Sequence, residues 1–186
     1  ASGLQINHNG KHLDQRIFFA GQEFFDIFSF PLVKGNSQTA LAQPNSIVIT
    51  ASMEEKYFPD EDALGKTMLF EDSLLFTVTG VLKDIPAQSH MQFDILISFT
   101  TYESLNRGFT YDGGWGNLNV RNYILLKDGV DASAFFAKAR DLYMNYVEED
   151  MRKWGMFMYV GFEPLQQIYL HSKRGNGMGP LGSMDR

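Results

Sequence analysis

The sequence predicts an α+β (mixed α/β) protein with a mixed, largely antiparallel sheet, hairpins, packed helices and room for two lobes. Three observations lead to this fold class. Apolar residues alternate with a period of two in several short segments, which is typical of half-buried strands. Residues 132–154 instead repeat their apolar residues with the period of a helix. The chain has 186 residues, of which 44% are hydrophobic, so it can bury a substantial core.

A hairpin and a short helix are predicted at the start of the chain. The Asn-Gly pair at 9–10 lies between the extended segments 4–6 and 15–20, and this dipeptide favours a two-residue hairpin turn. The phenylalanines within residues 22–30 indicate a short amphipathic helix. Pro31 is expected to end that helix, because the residue before a proline avoids the helical region.

The middle of the chain predicts alternating strands and helices. Thr50 is expected to cap a helix that runs to Phe58, since its hydroxyl can accept a hydrogen bond from a free amide of the first turn. Pro59 cannot continue that helix. Strands are predicted over residues 47–49, 67–70, 75–83 and 93–97, the second and third forming a hairpin across residues 71–73.

Beyond residue 100 the sequence predicts one long helix among shorter elements. Asp131 is expected to cap the helix over residues 132–154, and Gly155 to end it. Its predicted apolar face comprises Phe135, Phe136, Ala139, Leu142, Tyr143, Tyr146 and Val147. The other predicted elements are a helix at 102–105, a loop at 106–119 and strands at 120–126, 156–165 and 168–170.

The composition excludes several classes of function. Sixteen basic and 22 acidic side chains leave a net charge of −6, so no nucleic-acid partner is expected. The chain has no cysteine, which excludes disulfides, thiolate catalysis and cysteine-ligated zinc. No apolar run in the sequence reaches the roughly 18 residues that a membrane span needs, although the chain can still be a piece of a membrane protein.

Residues 84–90, Asp-Ile-Pro-Ala-Gln-Ser-His, form a polar connector between two predicted strands. His90 and Asp94 have the spacing of an oriented imidazole. However, only Ser89 adjoins the histidine, and the sequence has no Gly-x-Ser-x-Gly motif to supply a nucleophile. We therefore favour an interpretation in which Ser89 and His90 satisfy backbone groups of the connector.

The other candidate sites also have a simpler interpretation. His8 and His12 share one hairpin but have no third metal ligand in register, so solvated histidines are favoured. The acidic groups at 59–62 and 148–150 are expected to be solvated charges rather than glycosidase carboxylates. Residues 175–179, Gly-Asn-Gly-Met-Gly, lack the lysine and helix of a phosphate-binding loop.

Aromatic residues suggest one binding hypothesis. Tyr111 and Trp115 can form a stacking platform for a ligand, and the favoured alternative is a mobile loop with Trp115 packed under the sheet. The phenylalanine-rich segment 18–30 is expected to be core rather than a binding groove. Because no cluster combines a nucleophile, a base and an anion-stabilising group, we expect a binding or force-transmitting module that is neither an enzyme nor bound to a cofactor.

Three segments in a fixed order carry a resemblance to a known family. They are FFAGQEFFDIFSFPLVKGNSQTAL (18–41), PNSIVITASMEEKYFPDEDALGKTM (44–68) and FTVTGVLKDIPAQSHMQFDILIS (76–98). In series they resemble the MacB-like periplasmic core domain of FtsX-like ABC transporter permeases. The resemblance is strongest over residues 17–98 and weaker at 123–131 and 162–172.

The resemblance implies that residues 1–186 form an extracytoplasmic domain between two transmembrane helices of a permease subunit. It implies a location at the periplasmic face of the bacterial inner membrane and a domain shortened on its N-terminal side. It also implies that a separate cytoplasmic subunit binds ATP and that the permease transmits the resulting motion outwards. The implied partners are that subunit, a second permease copy and a periplasmic protein or peptide substrate. Export, lipoprotein release and control of periplasmic hydrolases are the implied outcomes.

Eight residues match the motifs of the family and are carried over as fold-defining positions, not catalytic ones. They are Gly65, Lys66, Gly80, Pro86, Ser89, His90, Phe93 and Asp94. The chain departs from the family at its front, where the usual opening strand and helix are absent or shortened, which puts any substrate groove there in doubt. Two alternatives stay open. One is a periplasmic ligand-binding module using Tyr111 and Trp115, and the other is a hydrolase using His90, Asp94 or the acidic loops.

Overall fold

The computed structural model describes residues 6–8, 11–13, 15–71, 73–105, 121–153, 161–166 and 168, with side chains left out at 6–8, 11–13 and 147–153. The chain divides into two compact units. Unit 1 comprises Ala1–Arg107 with Ile168–Arg186, and unit 2 comprises Gly108–Gln167.

The described part of unit 1 contains eight strands and three short helices. The strands are β1 (Ile6–His8), β2 (Lys11–Leu13), β3 (Ile17–Ala20), β4 (Leu32–Gly35), β5 (Ser46–Thr50), β6 (Thr67–Phe70), β7 (Leu74–Leu82) and β8 (Ile95–Ser98). The helices are α1 (Phe24–Ile27), α2 (Ala51–Tyr57) and α3 (Phe99–Leu105). Unit 2 contains α4 (Ala132–Lys153).

The strands form one mixed sheet in the order β2-β1-β6-β7-β5-β8-β3, and β4 pairs with β7 as well. The pairs β3·β8 and β5·β7 are parallel, and the other five pairs are antiparallel. The chain passes from β5 to β7 through α2 and β6, which supply the crossover that a parallel pair requires. The predicted mixed, largely antiparallel sheet is confirmed.

The centre of the sheet is buried on both faces. Every residue of β5 and β8 is buried, whereas β6 alternates between exposed and buried residues. A continuous apolar run such as Ile47-Val48-Ile49 is typical of strands that are covered on both faces. The principal core joins the sheet to α2 and comprises Ile17, Ile47, Ile49, Met53, Tyr57, Ala63, Met68, Phe70, Phe76, Val78, Val81, Ile95 and Ile97.

The hairpins are confirmed, with differences in detail. β6 pairs with β7 as predicted, Phe70 lying opposite Leu74. β1 and β2 form a tighter hairpin than expected, and Ile17–Ala20 becomes a separate strand parallel to β8. α1 has only four residues and ends at Ile27, so Pro31 does not end it. α3 begins at Phe99 rather than at residue 102.

In unit 2 the long helix and its cap are confirmed. The Oδ1 atom of Asp131 accepts hydrogen bonds from the amides of Ser133 and Ala134, at 2.9 and 3.2 Å. The predicted apolar face is only partly buried. Phe135, Phe136, Ala139 and Tyr143 are half-buried, Leu142 and Tyr146 are 56% and 54% exposed, and the side chain of Val147 lies outside the described residues.

The strand predicted at 120–126 is wrong, because residues 121–127 have no regular secondary structure. No described strand pairs with this segment, and Ile124 and Leu125 are 49% and 66% exposed. An apolar run such as residues 123–126 does not by itself supply a neighbouring strand.

The strands predicted at 156–165 and 168–170 are wrong where they can be compared, because residues 161–164 have no regular secondary structure and residues 165 and 168 are helical. The predicted loop at 106–119 and the rest of those two segments lie outside the described residues.

Candidate functional site

In the structure the connector between β7 and β8 comprises residues 83–94. It holds five of the eight residues carried over from the family motifs, and Asp84 anchors its first end. The Asp84 carboxylate accepts hydrogen bonds from the amide and the hydroxyl of Ser52, at 2.9 and 2.7 Å. Ser52 is the second residue of α2, so Asp84 satisfies a free amide at the start of that helix and complements its dipole. Thr50 forms no side-chain cap hydrogen bond. The predicted Thr50 cap is therefore wrong, and a carboxylate 32 residues beyond Ser52 takes its role.

Side chains of the connector satisfy its backbone. The Gln92 Nε2 atom donates to the carbonyl of Pro86 at 2.8 Å and lies 3.2 Å from that of Ser89. The amide of Met91 donates to Ser89 Oγ at 3.3 Å, as the sequence interpretation expects of Ser89. The His90 ring lies beside the ring of Phe28, with 6.2 Å between their centres. These contacts make the connector a defined turn.

Arg16 pairs with Asp94 at the second end of the connector. Arg16 Nη2 lies 2.6 Å from Oδ1 and Nε lies 3.1 Å from Oδ2, the two-pronged geometry of a strong guanidinium–carboxylate pair. The amide of Arg16 also donates to Oδ2 at 2.9 Å. Arg16 and Asp94 directly precede β3 and β8, although they lie 78 residues apart in the chain.

Asp94 is held in its ionised form. Partial burial alone would raise the pKa of Asp94, but the hydrogen bonds from the side chain and amide of Arg16 outweigh burial and hold that pKa below its ordinary value of 3.8. The Asp94 side chain is 21% exposed and that of Arg16 is 54% exposed. A carboxylate that is already paired and has a lowered pKa is a poor general base near neutral pH. This geometry disfavours the hydrolase hypothesis for His90 and Asp94.

Phe93 joins the connector to an aromatic cluster. Its ring is edge-to-face with Phe24 and Phe30, at 5.9 and 5.4 Å between centres. Phe93 and Phe28 are buried, but Phe28 is the only buried phenylalanine of segment 18–30 and the other five are half-buried, so the expected core role of that segment is met only in part. Phe25 and Phe30 are half-buried and line an open groove of about 600 Å³ beside the start of β4.

Gly65 and Lys66 extend the pairing of the β6–β7 hairpin. Gly65 has a φ of +80°, which is the left-handed region that glycine adopts without strain. Its amide donates to the carbonyl of Val78 at 2.8 Å, and the amide of Val78 donates to the carbonyl of Lys66 at 2.8 Å. The Lys66 ammonium pairs with Glu61.

Gly80 lies opposite Gly35 where β4 approaches β7 closely. A Cβ atom at Gly35, whose φ is +92°, would lie 2.4 Å from the carbonyl oxygen of Thr79. A Cβ atom at Gly80 would lie 3.0 Å from Leu32 Cδ2. The two glycines allow this close approach of backbones. Sequence reasoning marks Gly80 but misses Gly35.

Lys34 ties the acidic loop at 59–62 to β4 and α2. Its ammonium lies 2.9 Å from Glu54 Oε1 and 3.0 Å from Asp62 Oδ1. The same oxygens accept hydrogen bonds from the amides of Ala63 and Leu64. The amide of Leu64, followed by Lys34, lowers the pKa of Asp62. The Asp62 side chain is 65% exposed, so it is a solvated charge, as predicted, and also holds its loop.

Other predicted candidates lie outside the described residues. They are Tyr111, Trp115, residues 175–179, and the side chains of His8, His12 and 148–150. In the backbone, His8 pairs with Lys11 and His12 with Asn7, so the two histidines are not opposite each other. In the part of the chain that the structure describes, no three acidic or histidine side chains come together as metal ligands. The Tyr111 and Trp115 platform stays a prediction.

A known family and several known proteins are similar to most of this chain. The family model of the MacB-like periplasmic core domain matches residues 1–142. Over 124 residues the chain is 25% identical to the macrolide export ATP-binding/permease protein MacB of Neisseria gonorrhoeae, covering 65% of this chain and 19% of that protein. The MacB protein of Neisseria meningitidis serogroup A matches equally well. The chain thus spans about a fifth of the length of these curated relatives.

Solved structures share the fold. One is a domain of a protein described as a permease from Porphyromonas gingivalis, with a TM-score of 0.55 and 23% identity, covering 80% of this chain and 66% of that one. Another is the periplasmic region of MacB from Actinobacillus actinomycetemcomitans, with a TM-score of 0.54 and 16% identity, covering 84% and 72%.

These findings define the class of the protein as a periplasmic domain of an ABC transporter permease of the MacB/FtsX type. More specifically, the chain belongs to the family of MacB-like periplasmic core domains, because the family model matches residues 1–142 of 186. The resemblance inferred from the three sequence segments is confirmed. In the described part of the chain, no helix has the length and hydropathy needed to cross a bilayer.

Proposed function

We propose that this domain transmits motion and does not catalyse a reaction. It lies between two transmembrane helices of a permease subunit and couples ATP hydrolysis in the cytoplasm to export, lipoprotein release or regulation of periplasmic partners. It binds neither ATP nor another cofactor itself. Its partners are a separate ATP-binding subunit, a second permease copy and a periplasmic protein or peptide.

The proposal rests on the hydrogen bonds by which the connector joins α2, β3 and β5. Asp84 holds the start of α2 through Ser52, and Asp94 holds the start of β3 through Arg16. The carbonyl of Asp94 also accepts a hydrogen bond of 3.1 Å from the amide of Thr50, the last residue of β5. Displacing any one of these elements breaks bonds to the others, so unit 1 is expected to move as a body.

The burial of the central strands supports the same conclusion. β5 and β8 are covered on both faces, and close-packed interiors resist deformation and transmit strain. A domain that relays motion needs this stiffness, because a deformable domain would change shape where it is displaced and would not move as a whole. The polar side chains of the connector also add stiffness, since Asp84, Gln92 and Asp94 form hydrogen bonds to Ser52, the carbonyl of Pro86 and Arg16.

Hydrogen exchange in two nucleotide states tests the proposal. The full-length permease, assembled with its ATP-binding subunit, is compared without nucleotide and after trapping with ADP and vanadate. We expect the amides of β5, β7 and β8 to keep the same protection in both states. If these amides exchange roughly tenfold faster in one state, the core opens in that state. The proposal that the domain moves as a rigid body would then be wrong. The permease without the ATP-binding subunit is the control, in which nucleotide should change nothing.

A further inference from the structure

The groove beside the start of β4 lies within a loop that a hydrogen bond closes. Its described lining comes wholly from residues 25–37. Asp26 in α1 and Gln38 in the turn after β4 lie 12 residues apart in the chain, and Gln38 Nε2 donates to Asp26 Oδ1 at 3.1 Å. Within the turn, Asn36 Oδ1 accepts a hydrogen bond of 2.9 Å from the amide of Gln38. The walls of the groove are therefore held in place before a ligand arrives, which lowers the cost of binding.

Aromatic rings form part of the groove, and they are not fully covered. Phe25 and Phe30 line it, and both rings contact Phe24, at 5.4 and 5.7 Å between centres. All three phenylalanines are half-buried, although a phenylalanine in a closed core is almost wholly covered. A ligand that covers the remaining ring surface would be stabilised, because removing apolar area from water is favourable.

The described lining of the groove carries no charge. It consists of phenylalanine, serine, proline, leucine, glycine and asparagine residues, in a chain of which 20% is charged. Two charged residues of the same loop already have partners, since Asp26 binds Gln38 and the Lys34 ammonium lies 2.9 Å from Glu54 Oε1. A charged group entering the groove would lose water without gaining a counter-ion. The groove therefore favours an uncharged ligand.

Polar groups at the groove suit the backbone of a peptide. The hydroxyls of Ser29 and Ser37 line the groove and form no hydrogen bond with the described residues. Among the described strands β4 pairs only with β7, so main-chain groups on its other edge have no strand partner there. An extended peptide can bond to such an edge and to hydroxyls. A compact apolar molecule would use neither, and sites for such molecules enclose most of the ligand, whereas this groove is open.

We propose that the groove binds an extended, uncharged peptide segment of a periplasmic partner, with one aromatic or aliphatic side chain placed against Phe25 and Phe30. The inference deepens the proposed function and rests on it for the existence of a periplasmic protein or peptide partner. It also divides the phenylalanine-rich segment 18–30 between two roles, because Phe28 belongs to the core while Phe25 and Phe30 contact the ligand.

The experiment measures peptide binding to the full-length permease in lipid nanodiscs without nucleotide. The probes are peptides of the form Ser-Thr-X-Thr-Ser-amide with an uncharged dye at the amino end, in which X is Phe, Leu, Glu or Lys, and binding is followed by fluorescence anisotropy. Dye-labelled phenylalanine amide without flanking residues is a further probe. Ser29→Trp places a bulky ring at the groove and removes no hydrogen bond to a described residue. Thr67→Trp is the matched control, because it places the same ring at an exposed position of β6.

The peptides with Phe and Leu are expected to bind. Those with Glu and Lys, and the phenylalanine amide, are expected to bind at least about tenfold more weakly. Ser29→Trp should weaken binding of the Phe peptide by a similar factor, and Thr67→Trp should leave it unchanged. In the wild-type protein the bound Phe peptide should slow amide exchange within residues 28–37 and leave the amides of β6 unchanged.

Several results would overturn the inference. One is that neither the Phe nor the Leu peptide binds at concentrations up to about 1 mM, as would happen if a second copy of the chain covers the groove. Another is that phenylalanine amide binds as tightly as the Phe peptide, which would make a small apolar molecule the ligand. Binding that is undiminished in Ser29→Trp, or protection that appears only away from residues 28–37, would place the peptide elsewhere. Because no nucleotide is present, these failures leave the proposal of rigid-body motion unaffected, and a core that opens in the nucleotide experiment leaves peptide binding unaffected.

Discussion

Gly35 and Gly65 share a left-handed backbone but differ in the space around it. Their φ angles are +92° and +80°, and a Cβ atom at Gly35 would collide with the Thr79 carbonyl, whereas nothing lies within 4 Å of one at Gly65. We expect Gly65→Ala to cost about 1 kcal/mol of unfolding free energy and Gly35→Ala about 3 kcal/mol or more, because a backbone clash adds to the strain. Urea unfolding of the two variants measures the difference. Equal losses would contradict the close approach of β4 to β7.

The Arg16–Asp94 pair gives the domain a defined response to acid. Because the folded pKa of Asp94 lies below 3.8, its stabilising effect is complete above about pH 5 and is lost as the pH falls through the folded pKa. Asp94→Asn is therefore expected to flatten the decline of unfolding free energy as the pH falls below about 4. Arg16→Met should have the same effect, since it removes the partner. Denaturant titrations at a series of pH values measure this effect. If the unfolding free energy of both variants falls with acid as steeply as that of the wild type, the pairing is refuted.

Sequence reasoning found the side chains whose partners are close in the chain. Asp131 caps α4 through amides two and three residues ahead, so its role follows from a local pattern. Asp94 was marked by a motif, but its partner Arg16 is 78 residues away. A single sequence has no local signal for such a pair, and the same applies to Asp84 with Ser52 and to Gly35 with Gly80.

Among the elements, α2 shows how a tertiary contact replaces a local one. Thr50 stands at the cap position, but the first turn is bonded by Asp84. We expect Asp84→Ala to cost about 1–2 kcal/mol, the usual value of a lost cap. Thr50→Val is the matched comparison and should cost less, because no cap bond is lost. Thermal or urea unfolding compares them, and a larger loss in Thr50→Val would contradict this assignment.

The elements that were predicted correctly are those whose sequence signals all lie within the element itself. The β6–β7 hairpin joins two alternating strands across a short polar turn, and α4 combines a helical period with a cap. Residues 123–126, Tyr-Ile-Leu-Leu, are an apolar run and still form no strand. A strand needs a partner, and partners are chosen by the whole sheet. α1 is shorter than its phenylalanine spacing suggests, because the chain turns extended at Phe28, whose ring packs in the aromatic cluster.

For the molecule as a whole, the order of segments was more informative than any single residue. The three quoted segments identified the family, and the family model then matched residues 1–142. The mixed sheet followed from the alternation of strands and helices, but the strand order did not, because β2 and β3 are neighbours in sequence and lie at opposite ends of the sheet.

Distances within and between copies of the domain test the central claim most directly. The chain has no cysteine of its own, so spin labels can be attached in this domain at Glu55→Cys and Leu75→Cys. In the assembled transporter, we predict that the distance from Glu55 to Leu75 within one copy is the same without nucleotide and after trapping with ADP and vanadate. The distance between the Leu75 labels of two copies should shift. A changed distance within one copy, or an unchanged distance between copies, would contradict a domain that transmits motion as a rigid body.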